Sequence, residues 1–329
     1  KLNTNENPYP PSPKVVAAVQ AVLADSADVL RLYPDPEASA LKHAIAAQQN
    51  IDVANVFVGN GSDEVLAHIF KAFFVQQQPI LYPDITYSFY PVYSQFFAVK
   101  TKVLPLNDDF EIVVDDYKQA NGGIIITNPN APTSIALEVS AIEEVLQANP
   151  NSVVVIDEAY VDFGAQSAVS LVEKYENLVV CQTTSKSRSL AGLRVGFAIA
   201  QPHLIAALEA VKNSFNSYPM DRFAIAAAVA SFEDQAYFEA QCQKVIASRD
   251  KLVTELESMG FKVLPSKANF IFASLPSKDA GELAAQLREQ GIIVRYFNKP
   301  RINQFLRITI GTDEQNQRLV DSLKNDILA

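Results

Sequence analysis

The segment Thr183-Thr184-Ser185-Lys186-Ser187-Arg188-Ser189-Leu190-Ala191-Gly192-Leu193-Arg194 sets one lysine just beyond the apolar stretch Leu178 to Cys181. Hydroxyl groups surround that lysine, and an arginine follows eight positions later. An amine at the end of a buried strand is desolvated, which disfavours the ammonium form and frees the lone pair to attack a carbonyl. Serine and threonine hydroxyls beside a guanidinium meet the needs of a phosphate dianion. A carbonyl-binding lysine next to a phosphate cradle points to a phosphorylated aldehyde cofactor, pyridoxal phosphate. Taken alone, the run also reads as a strand-to-loop turn with a solvated Lys186.

Two further apolar runs end in polar clusters. Ile124-Ile125-Ile126 leads into Thr127-Asn128-Pro129-Asn130-Ala131-Pro132-Thr133, and Val153 to Ile156 leads into Asp157-Glu158-Ala159-Tyr160. In open α/β sheets ligands bind outside the carboxyl ends of the strands, so three such clusters together are more specific than any one. Asp157 follows four aliphatic residues, and a carboxylate at the rim of a core needs a cationic or donor partner. A protonated pyridine nitrogen is such a partner, with Tyr160 placed to hydrogen-bond the phenolic oxygen of the same ring. The plain alternative is a helix N-cap aspartate with a packing tyrosine.

Gly61-Ser62-Asp63 opens an amphipathic helix, and backbone N–H groups at a helix start make an anion site; an ordinary turn capped by Ser62 is the alternative. Thr86-Tyr87-Ser88-Phe89-Tyr90 supplies aromatics, one of which can stack on a pyridine face or simply join the core. Arg295 and Arg307 sit in strand-like stretches. The arginine fork matches carboxylate and phosphate, against the alternative of a surface ion pair. Arg307, inside an otherwise apolar strand, is the better anion receptor.

The elements that must position these groups follow from periodicity. An extended Asn- and Pro-rich arm covers residues 1–13. Helical spacing runs over Val15–Leu23, Ala38–Gln49, Gly59 to about Val75, Tyr87–Gln95 and Ser140–Gln147. Strands are expected at Val56–Val58, Ile80–Tyr82, Gly123–Thr127, Val153–Ile156 and Leu178–Cys181. Unbroken apolar runs separated by 25 to 30 residues suit strands buried on both faces and joined by crossovers, hence a parallel, doubly wound sheet. Asp221–Ser258 reads as one or two long helices stopped by Gly260. Strands then follow at Phe270–Phe272, Ile292–Arg295 and Leu306–Ile310, with helices at Gly281–Gln290 and Thr312–Leu328. Tyr218-Pro219 marks the boundary: residues 30–220 form a large cofactor-binding domain, and 1–29 with 221–329 a small domain carrying the arm.

At 329 residues, with 49% hydrophobic and 19% charged residues, the chain is long enough for two domains with sizeable cores. A net charge of −10 gives no electrostatic footprint for nucleic acid. No apolar run approaches the ~18 residues of a membrane span. Two cysteines and three scattered histidines form neither a disulfide framework nor a metal site, and fit reduced thiols in a cytoplasmic protein.

In order, the stretches NENPYP, LYPDP, GNGSDE, DITYSFY, NPNAPT, DEAY, SKSRSLAGLRVGF and FLRITIGT resemble the histidinol-phosphate aminotransferases, pyridoxal-phosphate enzymes of the aspartate aminotransferase fold. The resemblance spans Leu2 to about Thr312. It implies an α/β, fold type I chain: a mostly parallel, doubly wound large domain plus a smaller α/β domain. It implies Lys186 as the Schiff-base lysine and proton carrier, Asp157 as pyridinium partner, Tyr160 as donor to the phenolic oxygen and Tyr87 as the stacking ring. Ser62, Asp63, Ser185 and Arg194 would hold the cofactor phosphate, the first two through backbone amides. Tyr33 would reach that phosphate from the other subunit of a homodimer. Arg307 would receive the anion of glutamate or histidinol phosphate, with Arg295 and Asn7 assisting. The reaction implied is ping-pong transamination between histidinol phosphate and 2-oxoglutarate through a Lys186 aldimine.

One position departs from the family pattern. Where asparagine usually precedes Pro-Thr-Gly, this chain has Ala131-Pro132-Thr133-Ser134, so the usual side-chain donor to the phenolic oxygen is missing. Tyr160 is left to act alone, or Asn130 to swing in. Competing activities on the same motifs are aromatic-amino-acid transamination and threonine-phosphate decarboxylation. A cofactor-binding transcription regulator would need a DNA-binding module, and no helix-turn-helix or basic patch accompanies these motifs.

Overall fold

The computed structural model describes residues 1–24 and 27–328. Two sheets organise it. In chain order the first two-thirds comprise α1 (Pro13–Ala24), α2 (Ser39–Gln49), β1 (Val56–Gly59), α3 (Ser62–Ile69), β2 (Ile80–Pro83), α4 (Tyr90–Phe96), β3 (Thr101–Leu104), β4 (Ile124–Thr127), α5 (Val139–Ala148), β5 (Val154–Asp157), β6 (Leu178–Thr183), β7 (Gly196–Ala200) and α6 (Pro202–Phe215). The seven strands form one sheet in the order β1-β7-β6-β5-β4-β2-β3. Its pairings are parallel from β6 through β3, while β7 runs antiparallel to both β6 and β1.

The unbroken aliphatic runs are explained by burial on both faces. Ile124, Ile126, Val154, Ile156, Leu178 and Val180 point into one core with helices α2 and α5. The intervening Ile125, Val155, Val179 and Cys181 point into the other, with α3 and α6. Each such aliphatic side chain contributes roughly 1.5–3 kcal/mol by leaving water.

The remaining chain forms α7 (Arg222–Glu233), α8 (Gln235–Ser258), β8 (Lys262–Val263), β9 (Phe270–Ser274), α9 (Ala280–Glu289), β10 (Arg295–Tyr296), β11 (Leu306–Thr309) and α10 (Asp313–Ser322). Here the sheet is antiparallel, β10-β11-β9-β8. Helix α7 belongs to the first core through Ala224, Ala228 and Phe232, whereas α8, α9 and α10 cover the second sheet. No helix among the described residues is long and apolar enough to cross a membrane.

Several elements differ from expectation. Strands β3 and β7 and helix α6 add to the expected elements: α6 has helical spacing at Leu204, Ile205 and Leu208, whereas β7 is a short Gly-Phe-Ala-Ile-Ala run and β3 an edge strand whose first three residues are exposed. The helix expected from Tyr87 begins at Tyr90, with Pro91 in its first turn. The strand expected over Ile292–Arg295 is reduced to Arg295–Tyr296. The helix expected through Leu328 gives way at Leu323 to a π-helical turn.

The reversed strand β7 decides where the site lies. Because it is antiparallel, it starts where its neighbours end: Gly196 is in register with Thr183 of β6 and with Gly59 of β1. The residues just before it, Arg194 among them, are therefore delivered to the carboxyl edge shared by β4, β5 and β6. Gly196 also lets α3 approach, since a Cβ there would lie 2.2 Å from the Ser62 amide nitrogen. Gly196→Ala is accordingly expected to destabilise the chain by about 3 kcal/mol, read as a lower urea midpoint. An unchanged midpoint would show that α3 is not pinned to β7.

Candidate active site

β4, β5 and β6 end together, with Thr127 opposite Asp157 and Asp157 opposite Cys181. The loops beyond them enclose a cavity of about 210 Å³ lined by Ser62, Tyr87, Asp157, Tyr160, Lys186 and Arg194, among others. The three polar clusters at strand ends and the α3 N-terminus thus converge on one space.

Asp157 is the electrostatic centre. Its side chain is buried, and among the described residues no cation lies within hydrogen-bonding distance. Oδ2 accepts from the Tyr90 hydroxyl at 2.8 Å, and Oδ1 from the Ala159 amide at 3.3 Å. Burial pushes the carboxyl up to about 6, with those two donors opposing the shift. Tyr90 is itself buried and also bonds the Thr127 hydroxyl at 2.7 Å, so Asp157 is held from below in one orientation.

The Lys186 loop is fixed from three sides. The Ser187 hydroxyl donates to the Asp162 carboxylate. The Arg188 guanidinium lies between the Phe232 and Phe238 rings, 3.9 and 4.0 Å from their centroids, and donates to the Ser231 carbonyl at 2.8 Å. From the N-terminal arm, Asn7 Nδ2 donates to the carbonyls of Lys186 and Ser187 at 3.1 and 3.2 Å. Lys186 Nζ then stands 5.9 Å from the centre of the Tyr160 ring.

The anion cradle sits at the opposite end of the cavity. Gly61 caps α3 at φ +86°, and a Cβ there would come within 2.6 Å of Arg194 Nη2. The first-turn amides of α3 and the hydroxyls of Ser62 and Ser185 face the Arg194 guanidinium across the same space. The Asp63 carboxylate is engaged sideways, by Tyr87 Oη at 2.9 Å and Arg194 Nη2 at 3.2 Å, which leaves its amide at the helix start.

A second cavity of about 310 Å³ shares Tyr87, Ala131, Tyr160 and Lys186 with the first and extends to Arg295 and Arg307. These two arginines are cross-strand partners on β10 and β11. Like charges directly opposite each other are destabilising, yet among the described residues no carboxylate pairs with either. The Phe297 ring lies 5.2 Å from one guanidinium and 5.7 Å from the other. Arg307 donates to the Asn3 carbonyl at 2.8 Å, while its Nε is buried without a partner. Burial, reinforced by Arg295, lowers its affinity for its proton. A half-buried arginine with an exposed arginine opposite it, both at the wall of a cavity that Lys186 also lines, can receive an anion.

The structure therefore brings together Lys186, Asp157, Tyr160, Ser62, Asp63, Tyr87, Ser185, Arg194, Arg295 and Arg307. Three expected residues lie elsewhere. Asn7 braces the back of the Lys186 loop rather than lining the substrate cavity. Asn130 is turned away, its Nδ2 donating to the Ile85 carbonyl and the Thr133 hydroxyl, both at 2.9 Å. Tyr33 is 79% exposed and stacks on Tyr218 outside the cavity. Sequence reasoning passed over Tyr90, three residues after Tyr87, and Asn5, whose place in the site depends on an arm that has no periodicity of its own.

A mostly parallel, doubly wound sheet with a lysine, a buried carboxylate and a helix-end cradle at its carboxyl edge defines a cofactor-dependent group-transfer fold. The model of the family "Aminotransferase class I and II" matches residues 1–323, and the chain belongs to that family. It is 82% identical over 328 residues to a histidinol-phosphate aminotransferase of Acinetobacter baumannii (strain SDF), covering 100% of this chain and 91% of that one. It is 78% identical over 324 residues to a histidinol-phosphate aminotransferase of Acinetobacter baylyi, covering 98% and 90%. The solved histidinol-phosphate aminotransferase of Sinorhizobium meliloti in complex with pyridoxal-5'-phosphate shares the fold, with a TM-score of 0.88 at 24% identity over 98% of this chain and 89% of that one.

The protein is a pyridoxal-phosphate-dependent transaminase, and its residues fit that cofactor. The cradle at Gly61 and Arg194 has the donors for a phosphate, and the desolvated Asp157 lacks the cation that a protonated ring nitrogen supplies. In the ligand-free chain Asp157 has a raised pKa. It favours the fold while protonated, and loses that contribution as pH climbs from the ordinary aspartate range through about 6. Asp157→Asn should therefore unfold at higher urea than the parent above that pH, by at most about 3 kcal/mol. The two should converge near pH 4, the usual aspartate range. Parallel curves at every pH would show that Asp157 carries no desolvation cost.

Proposed function

We propose that this transaminase moves an amino group between histidinol phosphate, for which its Acinetobacter relatives are named, and 2-oxoglutarate, in histidine biosynthesis. The observation that carries the reading is the unpaired Arg295–Arg307 receptor set beside Lys186. One always-charged receptor suits the phosphate of one substrate and the carboxylate of the other. Sharing that receptor, the two substrates bind in turn, and ping-pong kinetics follow.

Bound in the cavity, the cofactor supplies an electron sink for the pair released when the substrate Cα–H bond breaks. The chain's groups divide the rest. The α3 amides, Ser185 and Arg194 hold the phosphate. Asp157 keeps the ring nitrogen protonated, and Tyr160 donates to the phenolic oxygen. Lys186 Nζ takes the proton from the substrate Cα and would deliver it, on the same face, to the cofactor rather than back to Cα. Tyr87, adjoining both cavities, covers the ring. We assign residues 30–220 to the cofactor domain, with α7 packed on its core, and 1–29 with the rest of 221–329 to the small domain bearing the anion receptor.

Lys186→Ala should abolish multiple turnover. Arg307→Ala should lower kcat/KM for histidinol phosphate and for 2-oxoglutarate alike, about 100-fold each. The parent should prefer histidinol phosphate over phenylalanine and threonine phosphate in steady-state rates. Full turnover by the lysine variant, or a preference for phenylalanine, would overturn the reading.

We further propose a homodimer in which Tyr33 completes the partner's phosphate cradle, and a cytoplasmic setting suited to the unpaired, buried thiols of Cys181 and Cys242. Tyr33, 79% exposed and stacked on the exposed Tyr218, makes a bare aromatic surface that suits a second copy. The Tyr33 backbone is held from behind by Arg222, 2.9 Å from its carbonyl. Tyr33→Ala should weaken cofactor binding about tenfold in fluorescence titration without lowering the melting temperature of the cofactor-free protein. Unchanged affinity would exclude the contact.

A further inference from the structure

Ala131 presents only a methyl group to the second cavity, and the wall it shares with Tyr160 is completed by Asn5. Asn5 is 1% exposed and takes the left-handed conformation, φ 56°, which asparagine tolerates. The Thr309 hydroxyl accepts from the Asn5 amide at 3.0 Å and bonds Asn5 Oδ1 at 2.9 Å. A hydroxyl has one proton to give. With Thr309 giving that proton to Oδ1, the other end of the side chain is Nδ2, 3.1 Å from Tyr160 Oη. Asn269 Nδ2 holds the Asn5 carbonyl at 2.9 Å.

Tyr160 Oη consequently accepts from Asn5, and its own proton has no acceptor among the described residues. The phenol ring is fixed edge-on against Phe270, with centroids 5.0 Å apart. With the ring held and one lone pair occupied, the O–H is left to swing toward the cavity.

We infer that Asn5 is a positioning residue for the known reaction: its Nδ2, set by Thr309 of β11, aims the Tyr160 proton at the cofactor's phenolic oxygen. The contact reaches from the arm and the small sheet to the loop after β5. It supplies, on Tyr160, the amide that position 131 does not. The inference rests on the cofactor-binding reading above. A donor at the phenolic oxygen draws electron density from the Lys186-bound nitrogen, so weakening that donor raises the nitrogen's pKa.

The test is a pH titration of the visible absorbance of the reconstituted enzyme. Asn5→Asp keeps the shape but offers an acceptor to the Tyr160 proton, and should raise the apparent pKa by about one unit. Asn5→Ala should raise it less, and adding Ala131→Asn to that variant should restore it. Thr309→Val, with Asn5 intact but free to flip, should shift it the same way, which covers the case in which the Asn5 variants do not fold. In each, kcat should fall while KM for the anionic substrate holds. Titrations superimposing on the parent's would overturn the inference. A parent enzyme with no Lys186-bound chromophore would instead overturn the cofactor reading.

Discussion

Everything in the site is arranged around a carboxylate that should not be where it is. Asp157 ends a strand whose every residue is buried, and a lone carboxylate removed from water is costly enough to prefer its proton. Tyr90 and the Ala159 amide offset part of that cost but bring no charge. The arrangement is at its most favourable only when a cation faces Asp157. The architecture serves that demand: parallel strands bring the loops to one edge, and reversed β7 adds Arg194 to the same edge.

The N-terminal arm is the second constraint, because it links two sheets that otherwise share few backbone bonds. The Leu2 amide donates to the Ile293 carbonyl at 2.7 Å, and the Leu2 carbonyl accepts from the Thr309 amide at 3.0 Å, so the arm runs as an added edge to the small sheet. Asn5 then reaches Tyr160, and Asn7 reaches the Lys186 loop. Two residues of spacing place one asparagine against Tyr160 and the next against the lysine's backbone. The arm thereby holds the anion receptor and the cofactor pocket in a fixed relation, with Arg307 bonded to the Asn3 carbonyl between them.

What could be read from the residues was what a strand end dictates. Lys186, Asp157 and Thr127 each follow an unbroken apolar run, and that pattern gives both the parallel sheet and the edge where ligands bind. β7 could not be read this way. It is short, glycine-initiated and alanine-rich, and only its pairing with β1 and β6 makes it a strand. Asn5, Asn7 and Asn130 look interchangeable as asparagines in loops. Their roles diverge through long-range partners, Thr309, the Lys186 carbonyl and the Ile85 carbonyl respectively, which local periodicity does not encode. Tyr33 shows the same limit from the other side, since its surroundings within one chain account for its backbone and not for its exposed ring.

The two electrostatic costs in the site have opposite signs and are kept apart. Asp157 is a buried anion without a cation, while Arg295 and Arg307 are a paired cation without an anion. They do not cancel each other because Lys186 and Tyr160 stand between them, lining both cavities. A ligand set carrying a positive ring nitrogen at one end and a substrate anion at the other relieves both at once. A group that binds only the folded chain also stabilises it. The features that make the empty chain less stable than its core would allow are thus those that make it selective for a cationic heterocycle joined to an anionic substrate.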